Sequence, residues 1–285
     1  MYERFFGLQV KPFTLTPDPA FLFPSRQHAM ALTLLEYGVE SQAAFALLTG
    51  DIGSGKTTLL RRVIRDLEER VTVGLVSNTH SGFQSVVPWL LSALSVQSSA
   101  DSDVARHEAL VSHVIRQYAE GKRTVLIIDE AQNLSVPILE ELRLLSNVNS
   151  ERDLVLQIIL VGQPELRETL SRPELRQLAQ RISVDYHLSP LTAAESAAYV
   201  QHRVRAAGCP VELFEADALA AIYESSCGVP RLINQLCDMA LVYAFAEGRA
   251  TVGRETVMLV LGDRQRAHAL PVLQPLAGQP VSNVG

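Results

Sequence analysis

The chain has 285 residues, 47% hydrophobic and 20% charged, an ordinary globular composition with room for one large or two modest domains. A formal net charge of −6 argues against a surface given over wholly to nucleic acid and leaves room for a local basic patch. No run of about eighteen uncharged apolar residues occurs, which argues against a transmembrane helix, and the opening MYERFFGLQV, with Glu3 and Arg4, lacks a signal-peptide core.

The first segment, to Pro24, is expected as an arm (residues 1–24). Prolines at 12, 17, 19 and 24 exclude a helix, and Phe13, Phe21 and Phe23 need a domain face to pack on. Ser25 to Ser41 reads as a helix with Ser25 as N-cap. Strands and helices then alternate. FALLTG is a short strand, Thr57 to Arg70 a helix and TVGLVS a second strand. GFQSVVPWLLSAL and Val104 to Glu120 are helical, separated by the polar VQSSADSD. TVLIID is a third strand, expected at the centre of the sheet for its hydrophobicity. Pro137 to Asn147 is a helix, LVLQIILVG a fourth strand, Pro164 to Arg181 one or two helices, and ISVDYHL a fifth strand. This order predicts a doubly wound parallel sheet with helices on both faces over residues 25–188. From Ser189 the pattern turns to four glycine-closed helices, a small all-α domain over 189–262, with Thr192 to Glu195 fitting a capping box. Residues 263–285 lack periodicity and are expected as a flexible tail. Cys209, Cys227 and Cys237 match no zinc template and read as buried or half-buried thiols of a reducing cytosol.

Chemistry enters at GDIGSGKTT. Gly50, Gly55, Lys56 and Thr57 fit G-x-x-x-x-G-K-[ST], between a strand and a helix. In such a loop, Gly50, Asp51, Ile52, Gly53, Ser54, Gly55, Lys56, Thr57 and Thr58 wrap the phosphates of ATP with inward N–H groups and a helix N-terminus. Lys56 neutralises the β- and γ-phosphates, and the Thr57 hydroxyl binds Mg²⁺. In TVLIIDEAQ, Asp129 at the strand end is expected to hold the same Mg²⁺, and Glu130 to polarise a water against the γ-phosphate. Gln163, in LVGQPEL, is a candidate to bond that water or the γ-phosphate. The Asp-Glu pair suits hydrolysis rather than transfer to a small molecule.

The P-loop, LIIDE, a polar residue ending the next strand, an arginine before the fifth strand and GVPR in a helical second domain together resemble an AAA+ ATPase. More narrowly, MYERFFGL, PFTLTPDPAFLF, GDIGSGKTTLLR, IIDEAQNLSVPILEELRLLSN, QIILVGQPEL and LRQLAQRI resemble the ExeA/GspA group of general-secretion, MSHA pilus and exosortase- or exopolysaccharide-associated ATPases, over about residues 1–262. The resemblance implies an α/β P-loop NTPase (AAA+) core with a five-stranded parallel sheet, followed by a small all-α lid. It gives Arg231 the part of a sensor for the γ-phosphate. It gives Arg181, with Arg176 in reserve, the part of an arginine finger that acts on a neighbouring subunit's ATP, which implies a homo-oligomer, expected as a ring. It also sets the arm and the first helix beside the adenine pocket, with His28 weighed as a contact to the base and read in preference as a helix-surface residue. ExeA-type secretion ATPases continue into a membrane span and a peptidoglycan-binding domain. This sequence closes in a short tail, so the soluble exosortase- or pilus-associated members are the nearer match.

Arg61, Arg62 and Arg65 could meet DNA or an acidic partner but read in preference as a solvated helix face paired with Asp66, Glu68 and Glu69, and the apolar segment around Trp89 could face a partner or a membrane but reads by default as core. The expected function is an ATP hydrolase using ATP and Mg²⁺ to drive work in an envelope system, cytoplasmic and brought to the inner membrane by a protein partner. The alternative is an ATP-gated DNA-binding regulator of the transposition type, with basic grooves and DNA-stimulated turnover.

Overall fold

A computed structural model describes the chain except for residues 17, 68–69, 78, 80–81, 83, 98–101, 149–153 and 267–285, and the side chain of residue 19. The chain forms two compact units, Pro17–Ser189 and Met1–Thr16 together with the chain from Pro190.

The larger unit is built on five parallel strands, β1 (Phe45–Gly50), β2 (Val71–Val76), β3 (Arg123–Ile128), β4 (Leu156–Gly162) and β5 (Ile182–Leu188), in the order β2-β3-β4-β1-β5. The third strand, expected at the centre, is flanked by β2 and β4, and the central place belongs to β4, whose residues are all buried. Hydrophobicity marks a strand covered on both faces, and three strands here meet that description, so it does not rank them.

Successive side chains alternate between the two faces of the sheet. Ala46, Leu48, Val125, Ile127, Ile159 and Val161 pack against Ala31, Leu35 and Val39 of α1 (Arg26–Glu40) and Leu59, Leu60, Val63 and Leu67 of α2 (Lys56–Leu67). Phe45, Leu47, Leu126, Ile128, Ile158 and Leu160 pack against α3 (Val87–Ala93), α4 (Asp103–Ala119) and α5 (Val136–Leu145). Ser25 caps α1 by accepting the His28 N–H. Helix α3 is shorter than expected because Pro88 lies in its first turn, and Trp89, expected in the core, is 41% exposed while Leu90 and Leu91 point inward. Beyond β4 come α6 (Glu165–Leu170), a 3₁₀ turn and the single-turn α7 (Arg176–Ala179). On α2, Arg62 pairs with Asp66 at 2.5 Å; Glu68 and Glu69 lie outside the described residues.

The smaller unit holds α8 (Ala193–Ala206), α9 (Ala216–Ser226), α10 (Pro230–Ala246) and α11 (Arg254–Arg266). The Thr192–Glu195 capping box is formed in both directions. Residues 263–266, expected in the tail, are the last turn of α11; the rest of that expectation lies outside the described residues. The first sixteen residues cluster with these helices. Phe13 meets Phe214 edge-on at 5.7 Å and Phe5 meets Phe245 at 5.4 Å. The buried Arg203 guanidinium donates to the carbonyls of Pro12 at 2.5 Å and Thr14 at 3.3 Å. Phe21 and Phe23, in the other unit, are only half-buried. Cys209 and Cys237 are buried free thiols, whereas Cys227 is exposed because it caps α9 in a left-handed conformation.

Candidate nucleotide site

The phosphate loop leaves the carboxyl end of β1 and enters α2. Two strands away in the sheet, β3 ends in Asp129 and Glu130, and Gln163 follows β4 between them. Three strand ends thus bring the loop, the acidic pair and the glutamine to one edge, where open α/β sheets bind ligands.

Lys56 is buried, and its ammonium donates to the carbonyls of Gly50 at 2.7 Å and Asp51 at 3.0 Å. Burial pushes its pKa down, while the carboxylates of Glu130, Asp129 and Asp51 oppose that shift. The Ser54 hydroxyl is buried in the loop without a hydrogen-bond partner among the described residues. An orphaned buried donor beside a lysine and the first turn of a helix fits an anionic phosphate. Asp51, Gly53, Gly55, Thr57 and Thr58 are half-buried, and Ile52 is exposed.

The Thr57 hydroxyl donates to Asp129 Oδ2 at 3.3 Å. Burial pushes the Asp129 carboxyl up, against the Glu130 backbone N–H that donates to Oδ1 at 2.9 Å and favours the anion. Among the described residues no three His, Cys, Asp or Glu side chains converge as a metal cage. One hydroxyl and one carboxylate are hard oxygen donors of the kind that hold Mg²⁺ alongside waters and substrate phosphates. Residues Thr57 and Asp129 therefore fit that ion.

Glu130 is half-buried in a left-handed turn (φ +53°). Its Oε2 accepts from Gln132 Nε2 at 2.6 Å and from Gln163 Nε2 at 3.4 Å. Thr79 braces the same turn, its hydroxyl close to the carbonyls of Glu130 at 2.7 Å and Asp129 at 3.1 Å.

Other site residues were not legible as such in the sequence. His28, read as a helix-surface residue, is buried. Its Nε2 lies 3.1 Å from the Ser54 carbonyl and its Nδ1 2.8 Å from the Ser25 hydroxyl. A carbonyl only accepts, so Nε2 carries the proton and α1 braces the phosphate loop through it. A Cβ at Gly55, where φ is +99°, would come within 2.9 Å of that nitrogen, so the glycine serves the close approach. Beneath Gly50, the buried Thr49 hydroxyl accepts from Arg167 Nε at 2.8 Å and faces His187 Nδ1 at 3.0 Å, and Arg167 also pairs with Asp185. The sequence signal for the two Thr49 contacts was weak, since they join residues more than a hundred positions apart.

Arg181 is half-buried, its guanidinium donating to Ser146 Oγ at 2.8 Å and to the Arg143 carbonyl at 3.4 Å. Arg176 is exposed on α7. Arg231 belongs to the other unit, exposed in the first turn of α10.

Residues 39–170 match the model of the AAA domain family. Over 249 residues the chain is 40% identical to general secretion pathway protein A of Aeromonas hydrophila, a match that covers 87% of this chain and 46% of that one. The chain thus spans about half the length of the curated relative it matches. Among solved structures, the ORC2 protein of Aeropyrum pernix superposes with a TM-score of 0.67 at 19% identity, over 92% of this chain and 72% of that one. Cdc6p of Pyrobaculum aerophilum gives 0.65 at 18%, over 91% and 74%. RuvB of Thermotoga maritima gives 0.52 at 20%, over 84% and 69%. At these identities the structures speak to fold alone: a P-loop AAA sheet followed by helices.

Proposed function

We propose that the chain, which is 40% identical to general secretion pathway protein A over most of its length and matches the AAA domain model, hydrolyses ATP to drive conformational work in a secretion-type envelope system. The observation that carries the reading is the convergence of Lys56, Thr57 and Asp129 at one sheet edge with Glu130 directly beyond. A binding-only site would not need that last carboxylate.

In this reading the phosphates draw Lys56 away from the Gly50 and Asp51 carbonyls, and the N–H groups of the loop and of the first turn of α2 hold the phosphate oxygens. Thr57 and Asp129 would hold Mg²⁺, which when bound would neutralise charge on the phosphates. Glu130 takes a proton from water as the water oxygen bonds to the γ-phosphorus. The bond from that phosphorus to the bridging oxygen breaks with its electrons left on ADP. Gln163, at the end of β4, orients the water or the γ-phosphate. Arg231 keeps the sensing part that the family resemblance gives it. For the arginine finger, its exposure favours Arg176, because Arg181 spends its guanidinium on its own chain. The subunit arrangement, the envelope partner and recruitment to the inner membrane belong to the same proposal. Among the described residues no helix is long and apolar enough to cross a membrane.

The test is the initial rate of ATP hydrolysis with and without duplex DNA. Lys56→Ala is expected to abolish nucleotide binding and turnover. Glu130→Gln is expected to keep binding and lose about 10²–10⁴-fold in rate, the usual worth of a positioned base. Turnover strongly stimulated by DNA would overturn the secretion reading in favour of the transposition type. Full activity in Glu130→Gln would remove Glu130 as the base.

A further inference from the structure

We propose that Gln132 is a positioning residue that ties the Glu130 carboxylate to the backbone at the end of β4. The inference rests on the reading of Glu130 as the group that activates water.

The side-chain carbonyl of Gln132 accepts from the Gln163 backbone N–H at 3.0 Å. A backbone N–H only donates, so this bond fixes which end of the carboxamide faces β4. The amide nitrogen is thereby turned toward Glu130, and it donates to Oε2 at 2.6 Å. One rigid, planar group thus spans from the end of the central strand to the carboxylate at the end of its neighbour β3. Gly162 makes room for it: a Cβ there would come within 2.7 Å of Gln132 Oε1 and 2.9 Å of Leu166 Cδ2. An alanine at 162 would push the carboxamide off the strand.

Glu130 needs such a tie. It stands in a left-handed turn, outside any strand or helix that would fix the direction of its side chain. A free glutamate samples several rotamers, and only some of them face a water beside the phosphate loop. Gln163 Nε2 reaches the same oxygen at 3.4 Å, a longer contact than that of Gln132. Gln132 is therefore the main restraint, and it anchors to the residue that itself borders the site. A group of this kind acts on the chemical step and leaves nucleotide binding alone.

Two substitutions separate its two bonds. Gln132→Glu keeps an acceptor for the Gln163 N–H, loses the donor to Glu130 and sets a second carboxylate against it. Gln132→Ala loses both bonds. In the full-length chain, both variants are expected to lower kcat by about 10–100-fold, the scale of a misplaced catalytic group. KM for ATP and the Kd of a fluorescent ATP analogue are expected to stay within about threefold of wild type. Hydrogen exchange at the Gln163 amide is expected to accelerate in Gln132→Ala and to remain protected in Gln132→Glu. Wild-type kcat in Gln132→Glu would overturn the proposal, as would a rise in KM or Kd with kcat unchanged, which would make Gln132 a support for nucleotide binding. The parent reading fails separately: it falls if Glu130→Gln turns over normally, whereas the positioning proposal alone falls if Glu130→Gln is inactive and Gln132→Glu is not.

Discussion

His187, on β5 beside the phosphate loop, is half-buried, and burial pushes its pKa below the usual value, helped by the Arg167 guanidinium and Lys56 and opposed by Asp51 and Asp185. Its contacts agree with a neutral ring. Arg167 Nε can only donate to the Thr49 hydroxyl, which leaves that hydroxyl's proton for His187 Nδ1. The folded pKa therefore lies below that of the unfolded chain, near 6.5. As pH falls through that value the unfolded chain takes up a proton that the folded chain refuses, so stability present above it is lost on acidification. The loss cannot exceed about 1.4 kcal/mol per pH unit and is smaller at a half-exposed site. Urea unfolding at pH 7.5, 6.5 and 5.5 should show a shallower loss for His187→Gln than for wild type; parallel curves would mean that His187 does not titrate differently on folding. His113, whose pKa burial and Arg116 also lower, is common to both proteins and cancels. At this scale a residue's place was legible in the sequence wherever it is written as local spacing. Lys56, Thr57, Asp129 and Glu130 lie on a motif or a strand end, and their places followed. His28, Gln132 and Arg167 owe their positions to contacts made only after the sheet is assembled, and residue type alone could not assign them.

At the level of elements, alternation and caps carried the reading. The five strands and the capping box of α8 were found because short apolar runs between turns and S/T-x-x-E are local signals. The order of strands was not, since β3 and β4 are equally apolar and pairing depends on long-range packing. The fate of the first sixteen residues was also beyond local signals, because it turns on Arg203, far along the chain. That buried guanidinium donates to the carbonyls of Pro12 and Thr14 and to the Tyr199 hydroxyl at 3.2 Å. Arg203→Leu keeps most of the volume and removes the donors. Hydrogen bonds from a charged group are worth about 1.5–3 kcal/mol, and two backbone acceptors would lose their partner. The expected result is a loss of about 2–3 kcal/mol in stability and faster chymotryptic cleavage after Phe13, which is buried between the anchored carbonyls. Cleavage at an unchanged rate would mean that the aromatic contacts of Phe5 and Phe13 hold the segment by themselves.

For the whole molecule, the open matter is whether one subunit's arginine completes another's site. A guanidinium already bonded within its chain, as in Arg181, must break those bonds to act elsewhere, whereas the exposed Arg176 has no such cost. Arg176→Ala should therefore lower turnover by about 10³-fold, the low end of a finger's worth. Arg181→Ala, which frees the Ser146 hydroxyl and the Arg143 carbonyl, should chiefly lower stability, read in urea unfolding. Mixing distinguishes trans from cis. Subunits carrying Lys56→Ala lack a working site but keep Arg176, and subunits carrying Arg176→Ala have the reverse defect. If the arginine acts across an interface, an equal mixture restores activity at about a quarter of the interfaces, those that pair an intact site with an intact arginine. If it acts within its own chain, every subunit in the mixture remains defective and no activity returns. Recovery that rises with total protein concentration would tie turnover to assembly, because only associated subunits could then supply the missing group.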